Sequence, residues 1–152
     1  EAELAAFEDL GVDVNDAGNS STDPVNAGVI AMASLIASAL SVKETAERLQ
    51  VTPSRISQLL GQRAMFGFRL DSRWHIPDFQ FHGKQLIVHI AEVNEALPVD
   101  LHPVAVMRWY RQANSELVER DLQQAISPLR WLMEGRDPKL LVQLAARLDE
   151  TP

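Results

Sequence analysis

Between residues 24 and 63 the apolar positions fall into three helical groups separated by polar punctuation, and from residue 66 the period drops to two. Asp23-Pro24 reads as a helix start, because Asp can accept from first-turn amides while Pro at the first helical position loses no bond. The first helix is expected over about 24 to 39. Ser41 followed by Glu44 is a capping box, and Val42, Ala46 and Leu49 supply the inner face of a short second helix. Gln50 and Val51 make a turn. Thr52-Pro53 opens a third helix, with Ile56, Leu59 and Leu60 as its inward stripe and an end near Gly61.

Phe66, Phe68 and Leu70 then alternate with Gly67 and Arg69, Asp71-Ser72-Arg73 reads as a hairpin loop, Trp74 to Ile76 return, and Pro77 stops the strand. The alternation assigns Phe66, Phe68 and Trp74 to the core. Helical spacing resumes from Leu86 to Leu97, again over about 103 to 112, from Ser127 to Met133 and from Asp137 to Leu148. The C-terminal third is expected to be helical. Upstream, Leu4, Phe7 and Leu10 suggest a short amphipathic helix, followed by a polar linker over 11 to 23. The pattern therefore predicts a mainly α protein: an acidic arm over 1–23, a winged helix-turn-helix with a short β-hairpin over 24–85, and a small helical C-terminal domain over 86–152.

Charge looks wrong for a nucleic-acid binder until it is resolved along the chain. The net charge is −7, yet residues 42 to 88 hold seven bases against four acids, whereas 1 to 41 hold seven acids and no base. Affinity for phosphate depends on the local field, so a basic middle between acidic ends can bind DNA. The uncharged run from Pro24 to Val42 reaches membrane-span length, but Asn26, Ser34, Ser38 and Ser41 interrupt it and no basic cluster flanks it, so a soluble helix is expected. The acidic start is unlike a secretory signal, and the lack of cysteine suits a reducing cytoplasm and excludes disulfides and thiolate metal sites.

In a helix-turn-helix the second helix lies in the major groove and its early outward residues meet base edges. Those are Ser54, Arg55, Gln58 and Gln62, with Arg55 suited to guanine and Gln58 to adenine. Thr52 and Ser57 are expected to touch phosphate or cap the helix, Arg63 to join the basic face, and Arg69 and Arg73 to reach the backbone or the minor groove from the wing. An enzyme is not expected: His75, His82, His89 and His102 lack metal-ligand spacing, and neither a phosphate loop nor a nucleophile elbow occurs. No cofactor or metal is expected.

Two stretches resemble known families. Val42 to Leu60 (VKETAERLQVTPSRISQLL) followed by Trp74 to Phe81 (WHIPDFQF) resembles the excisionase/MerR-like helix-turn-helix. Met107 to Tyr110 (MRWY), Asn114 to Leu117 (NSEL), Ser127 to Gly135 (SPLRWLMEG) and the run to Leu148 resemble the MbcA/ParS/Xre-type toxin-binding domain of bacterial antitoxins. Ser115 stands where that family has Pro, and Val118 to Ile126 replace its Gly-rich connection. The resemblance implies a DNA-binding antitoxin that neutralises a RES-type toxin and represses its own operon, with Trp109, Trp131, Leu132, Leu141, Leu144 and Leu148 at the toxin or dimer surface. A homodimer on two DNA half-sites, with no membrane association, goes with that reading. The alternative is a stand-alone winged helix-turn-helix regulator.

Overall fold

The computed structural model describes residues 24–119, 121 and 123–148. The expected short helix near residue 7, the linker and the Asp23 cap lie outside them. The chain divides into two compact units, Glu1–Ser34 and Leu35–Pro152. Helix α1 (Pro24–Ser38) starts in the first unit, where it carries no charged residue and exposes Val25, Val29 and Ile30. No described helix is long and apolar enough to cross a membrane.

Among the described residues of the second unit, α2 (Val42–Leu49) and α3 (Pro53–Gly61) come first, followed by the hairpin β1 (Phe68–Leu70) and β2 (Arg73–His75). A 3-10 turn over Asp78–Gln80 leads into a shorter hairpin, β3 (Phe81–His82) and β4 (Gln85–Leu86). Then come α4 (Ile90–Ala96), α5 (Pro103–Arg111), the hairpin β5 (Asn114–Glu119) and β6 (Gln124–Ile126), α6 (Pro128–Met133) and α7 (Lys139–Ala146). Among the described residues the fold is mainly α with three two-stranded antiparallel hairpins.

The amphipathic stripes of α2 and α3 meet in one core. Ala46, Ile56, Leu60, Met65, Ile76 and Phe81 are buried together, and Leu49, Leu59 and Trp74 pack partly buried against them. Burying a side chain such as Ile56, which has no exposed surface, contributes about 1.5–3 kcal/mol. Phe68 is buried, whereas Trp74 and Phe66 are half-buried. Just past β2, the α1–α2 connection adds a separate bridge, where Leu40 and Ile76 exchange both backbone bonds at 2.8 Å.

The C-terminal third departs from the helical expectation. Asn114–Glu119 and Gln124–Ile126 pair as a β-hairpin, whose buried Leu117 and Ile126 face the core while Val118 and Glu116 point out. One buried residue per strand leaves almost no periodic signal, so the segment is indistinguishable from a polar helix surface. The helix expected from Leu86 begins only at Ile90, because Gln85 and Leu86 pair with His82 and Phe81, and His89 takes a left-handed backbone (φ 70°) that breaks helical continuity. The last helix starts at Lys139 and not at Asp137, whose carboxylate accepts from the Lys139 amide at 2.9 Å.

Candidate nucleic-acid interface

The α2–α3 pair is built from local bonds that its sequence prescribes. Ser41 Oγ accepts from the Glu44 amide at 3.0 Å and Glu44 Oε1 accepts from the Ser41 amide at 2.9 Å. The bond from the Ser41 amide, with a smaller contribution from the Ser41 side chain, lowers the pKa of the Glu44 carboxyl. Gln50 ends α2 in the left-handed region (φ 58°), its amide donating to Ala46 and Glu47 carbonyls. Thr52 then caps α3, accepting from the Arg55 amide at 3.1 Å, with Pro53 in the first turn. Three residues, Gln50 to Thr52, thus reverse the chain between the two helices.

With Ile56 and Leu60 buried, the opposite face of α3 is fixed outward. Ser54, Arg55, Ser57, Gln58 and Gln62 are all exposed, and α3 carries no acid. Arg55 Nη1 donates to Gln58 Oε1 at 2.7 Å. Arg63 is elsewhere: its backbone is left-handed (φ 62°), its side chain is half-buried, and its guanidinium donates to the Leu97 carbonyl. It ties the α3 end to the residues after α4, outside the exposed face of α3.

In the first hairpin, Arg69 pairs with Trp74 and Leu70 with Arg73 across the strands, so the loop is only Asp71 and Ser72. Both adopt positive φ (51° and 65°), as the tight hairpin turn that matches strand twist requires. Arg69 lies over the Trp74 ring at 4.9 Å, which holds its charge at the strand surface. Arg73 is exposed, and with Lys43 it borders a groove of about 510 Å³ between the start of α2 and the hairpin. The base of the hairpin packs on α3: a side chain at Gly67 would meet Leu60 Cδ2 at 2.8 Å and Trp74 Cε3 at 3.2 Å.

Sequence reasoning missed the polar side chains that fix the hairpin. Gln80, fully buried, accepts from the Phe66 amide at 2.9 Å and donates to the Phe66 carbonyl at 2.7 Å and the Pro77 carbonyl at 3.0 Å. Asn94 donates to the Ala64 carbonyl at 3.0 Å and to Gln80 at 3.3 Å, and accepts from Tyr110. A lone Gln or Asn gives no signal of burial in a sequence, since most are exposed.

The ion pairs divide the described chain. Arg130 pairs with Glu119 and Glu134, Arg136 with Glu134 and Arg147 with Glu116, and His89 hydrogen-bonds to Glu92, so every such contact lies beyond residue 88. Among the described residues Lys43, Arg55, Arg69 and Arg73 form no ion pair. Arg48 is committed differently, donating to the Gly83 carbonyl at 2.8 Å and lying over the Phe81 ring.

The residues expected at a partner surface separate by burial. Leu132, Leu141 and Leu144 are inside the chain's own core, at 3%, 0% and 7% exposure. Trp109, Trp131 and Leu148 are half-buried. Trp131 donates to the Asp137 carbonyl at 2.9 Å and lies under Arg136, and Trp109 meets Tyr110 edge-on at 5.0 Å. The four histidines lie apart: His75 stacks on Phe68, His82 is exposed on β3, His89 hydrogen-bonds to Glu92, and His102 accepts from the Val104 amide. No group of three or more His, Asp or Glu among the described residues is placed to hold a metal ion.

No protein-family profile matches the chain, and no curated protein does. A solved structure does: the NMR structure of Rv2175c superposes with a TM-score of 0.52 at 19% identity, over 72% of this chain and 80% of that one. At that identity the likeness concerns the fold alone.

Proposed function

We propose that this chain is a winged helix-turn-helix protein that binds double-stranded DNA, with α3 entering the major groove and the β1–β2 hairpin as the wing along the backbone. The observation that carries the reading is the contrast in cation use. In the C-terminal part Arg130, Arg136 and Arg147 are paired with acids, although Arg108, Arg111 and Lys139 are not, while among the described residues no cation between 42 and 88 is in an ion pair. Unpaired cations beside an acid-free polar helix face can exchange counterions for phosphates, and they do so despite a net charge of −7 because the relevant field is local. Ser54, Arg55, Gln58 and Gln62 would meet base edges, Arg69 and Arg73 the backbone. Two copies on two half-sites would supply the affinity that one short helix lacks.

The wider reading, in which residues 86–152 also engage a RES-type toxin, draws on Trp109, Trp131 and Leu148, because the other three expected contacts are spent on the core. DNA binding is therefore the function we put first. The test is duplex binding by fluorescence anisotropy across a salt series. Each phosphate neutralised contributes about −0.9 to the slope of log affinity on log salt, so the three cations not assigned to bases, Lys43, Arg69 and Arg73, predict a slope of roughly −3 per bound chain. Absence of binding at low salt would overturn the proposal.

A further inference from the structure

Resting on the DNA reading above, this step concerns which bases are read. Gln on a recognition helix ordinarily selects adenine, donating to N7 while its carbonyl oxygen accepts from the N6 amino group. Here one of that oxygen's two lone pairs is engaged and a guanidinium stands beside it: Gln58 Oε1 accepts from Arg55 Nη1 at 2.7 Å, a length typical of a charge-assisted bond. No acid competes for the guanidinium among the described residues, and Thr52 holds the Arg55 backbone amide at 3.1 Å. Three residues apart, the two side chains share one face of α3. Both are exposed.

The pair therefore turns donors outward: the remaining guanidinium N–H groups of Arg55 and the Nε2 hydrogens of Gln58. A base carrying an amino group, adenine or cytosine, would bring its own donor against a fixed positive charge. A base carrying a keto oxygen, guanine or thymine, brings an acceptor that both groups can use. We propose that Arg55 and Gln58 act as one unit reading keto oxygens, with Arg55 on guanine and Gln58 on guanine or thymine at the neighbouring base pair, and that adenine is rejected there. The lone-residue expectation, Gln58 on adenine, is reversed by its neighbour.

The experiment is selection of duplexes from a randomised library by the full chain, its Gln58→Glu and Gln58→Ala variants, with circular dichroism to verify that each variant folds. The wild type is expected to recover guanine at one position and guanine or thymine beside it. Gln58→Glu replaces donors by acceptors, so the neighbouring position should switch to cytosine or adenine by on the order of tenfold, while the Arg55 guanine stays. Gln58→Ala should lose preference at that position and gain none. Wild-type selection of adenine at the position that Gln58 variants change overturns the inference and leaves DNA binding standing, as does an unchanged preference in Gln58→Glu. Failure of the wild type to retain any duplex removes the DNA reading and this inference together.

Discussion

Tyr110 donates its hydroxyl proton to Asn94 Oδ1 at 2.6 Å, and neither side chain has more than 3% of its surface exposed. Asn94 in turn donates to the Ala64 carbonyl and to Gln80, and Gln80 holds Phe66 by both backbone groups. A continuous chain of hydrogen bonds therefore links α5, through α4, to the base of the β1–β2 hairpin. Each member is satisfied, and in a low-dielectric interior the loss of one strands the next.

Tyr110→Phe leaves Asn94 Oδ1 without its donor and should cost about 1–3 kcal/mol in urea denaturation at neutral pH. The same residue sets an alkaline limit. Burial raises the Tyr110 hydroxyl well above its ordinary value of 10.0. Above pH ~10 the unfolded tyrosine ionises while the folded one stays protonated, so its contribution is intact below that pH and is lost as pH climbs toward the folded value. Stability measured from pH 8 to 11 should fall more steeply for the wild type than for Tyr110→Phe. Parallel curves would show that Tyr110 is not the titrating group.

The Asp71-Ser72 loop carries local strain. Both residues sit at positive φ, where a side chain costs about 1 kcal/mol relative to glycine. Ser72→Gly should raise stability by roughly 0.5–1 kcal/mol, which for a chain of this size moves the melting midpoint up by about 1–4 °C. A lowered midpoint would mean that the turn prefers Ser72 for a bond of its own.

Gly67 tests whether the hairpin base is set by close packing on α3. Gly67→Ala places a methyl group 2.8 Å from buried Leu60 Cδ2 and 3.2 Å from the Trp74 ring, and overpacking of that kind costs about 1–3 kcal/mol. If DNA binding depends on the hairpin angle, affinity should fall as well. An unaffected melting midpoint would show that Leu60 and Trp74 move aside freely.

These elements differ in how much of them a sequence can disclose. The caps at Ser41 and Thr52, the stripe Ile56–Leu60 and the alternation through Phe68 and Leu70 are local rules, and α2, α3 and the first hairpin follow from them almost residue for residue. The same holds for the exposed face of Ser54, Arg55, Ser57, Gln58 and Gln62, because burying Ile56 and Leu60 determines what points out. What failed to show was set by tertiary contact. Arg63 looks like one more cation beside α3 until Leu97, 34 residues on, takes its guanidinium. Gln80 and Asn94 look like surface polar residues until the backbone groups of Phe66 and Ala64 need partners. The β5–β6 hairpin carries one buried residue on each strand, Leu117 and Ile126, too few to establish a period.

The β1–β2 hairpin is the part of the proposed interface most open to a quantitative check. Arg69 is braced on the Trp74 ring and Arg73 stands exposed one register step further along, opposite Leu70. Neither makes an ion pair among the described residues, and neither side chain is part of the core. Replacing both by Ala should therefore leave the fold intact, with at most a small loss where Arg69 no longer covers Trp74. If both reach phosphates, the double variant should flatten the salt dependence by about 1.8 in the slope of log affinity on log salt. Base preference should stay the same, since phosphate contacts carry no sequence information. A changed base preference with an unchanged slope would instead place Arg69 or Arg73 on base edges. If slope and preference both stay as in the wild type, the hairpin does not touch DNA, and α3 would have to supply binding alone.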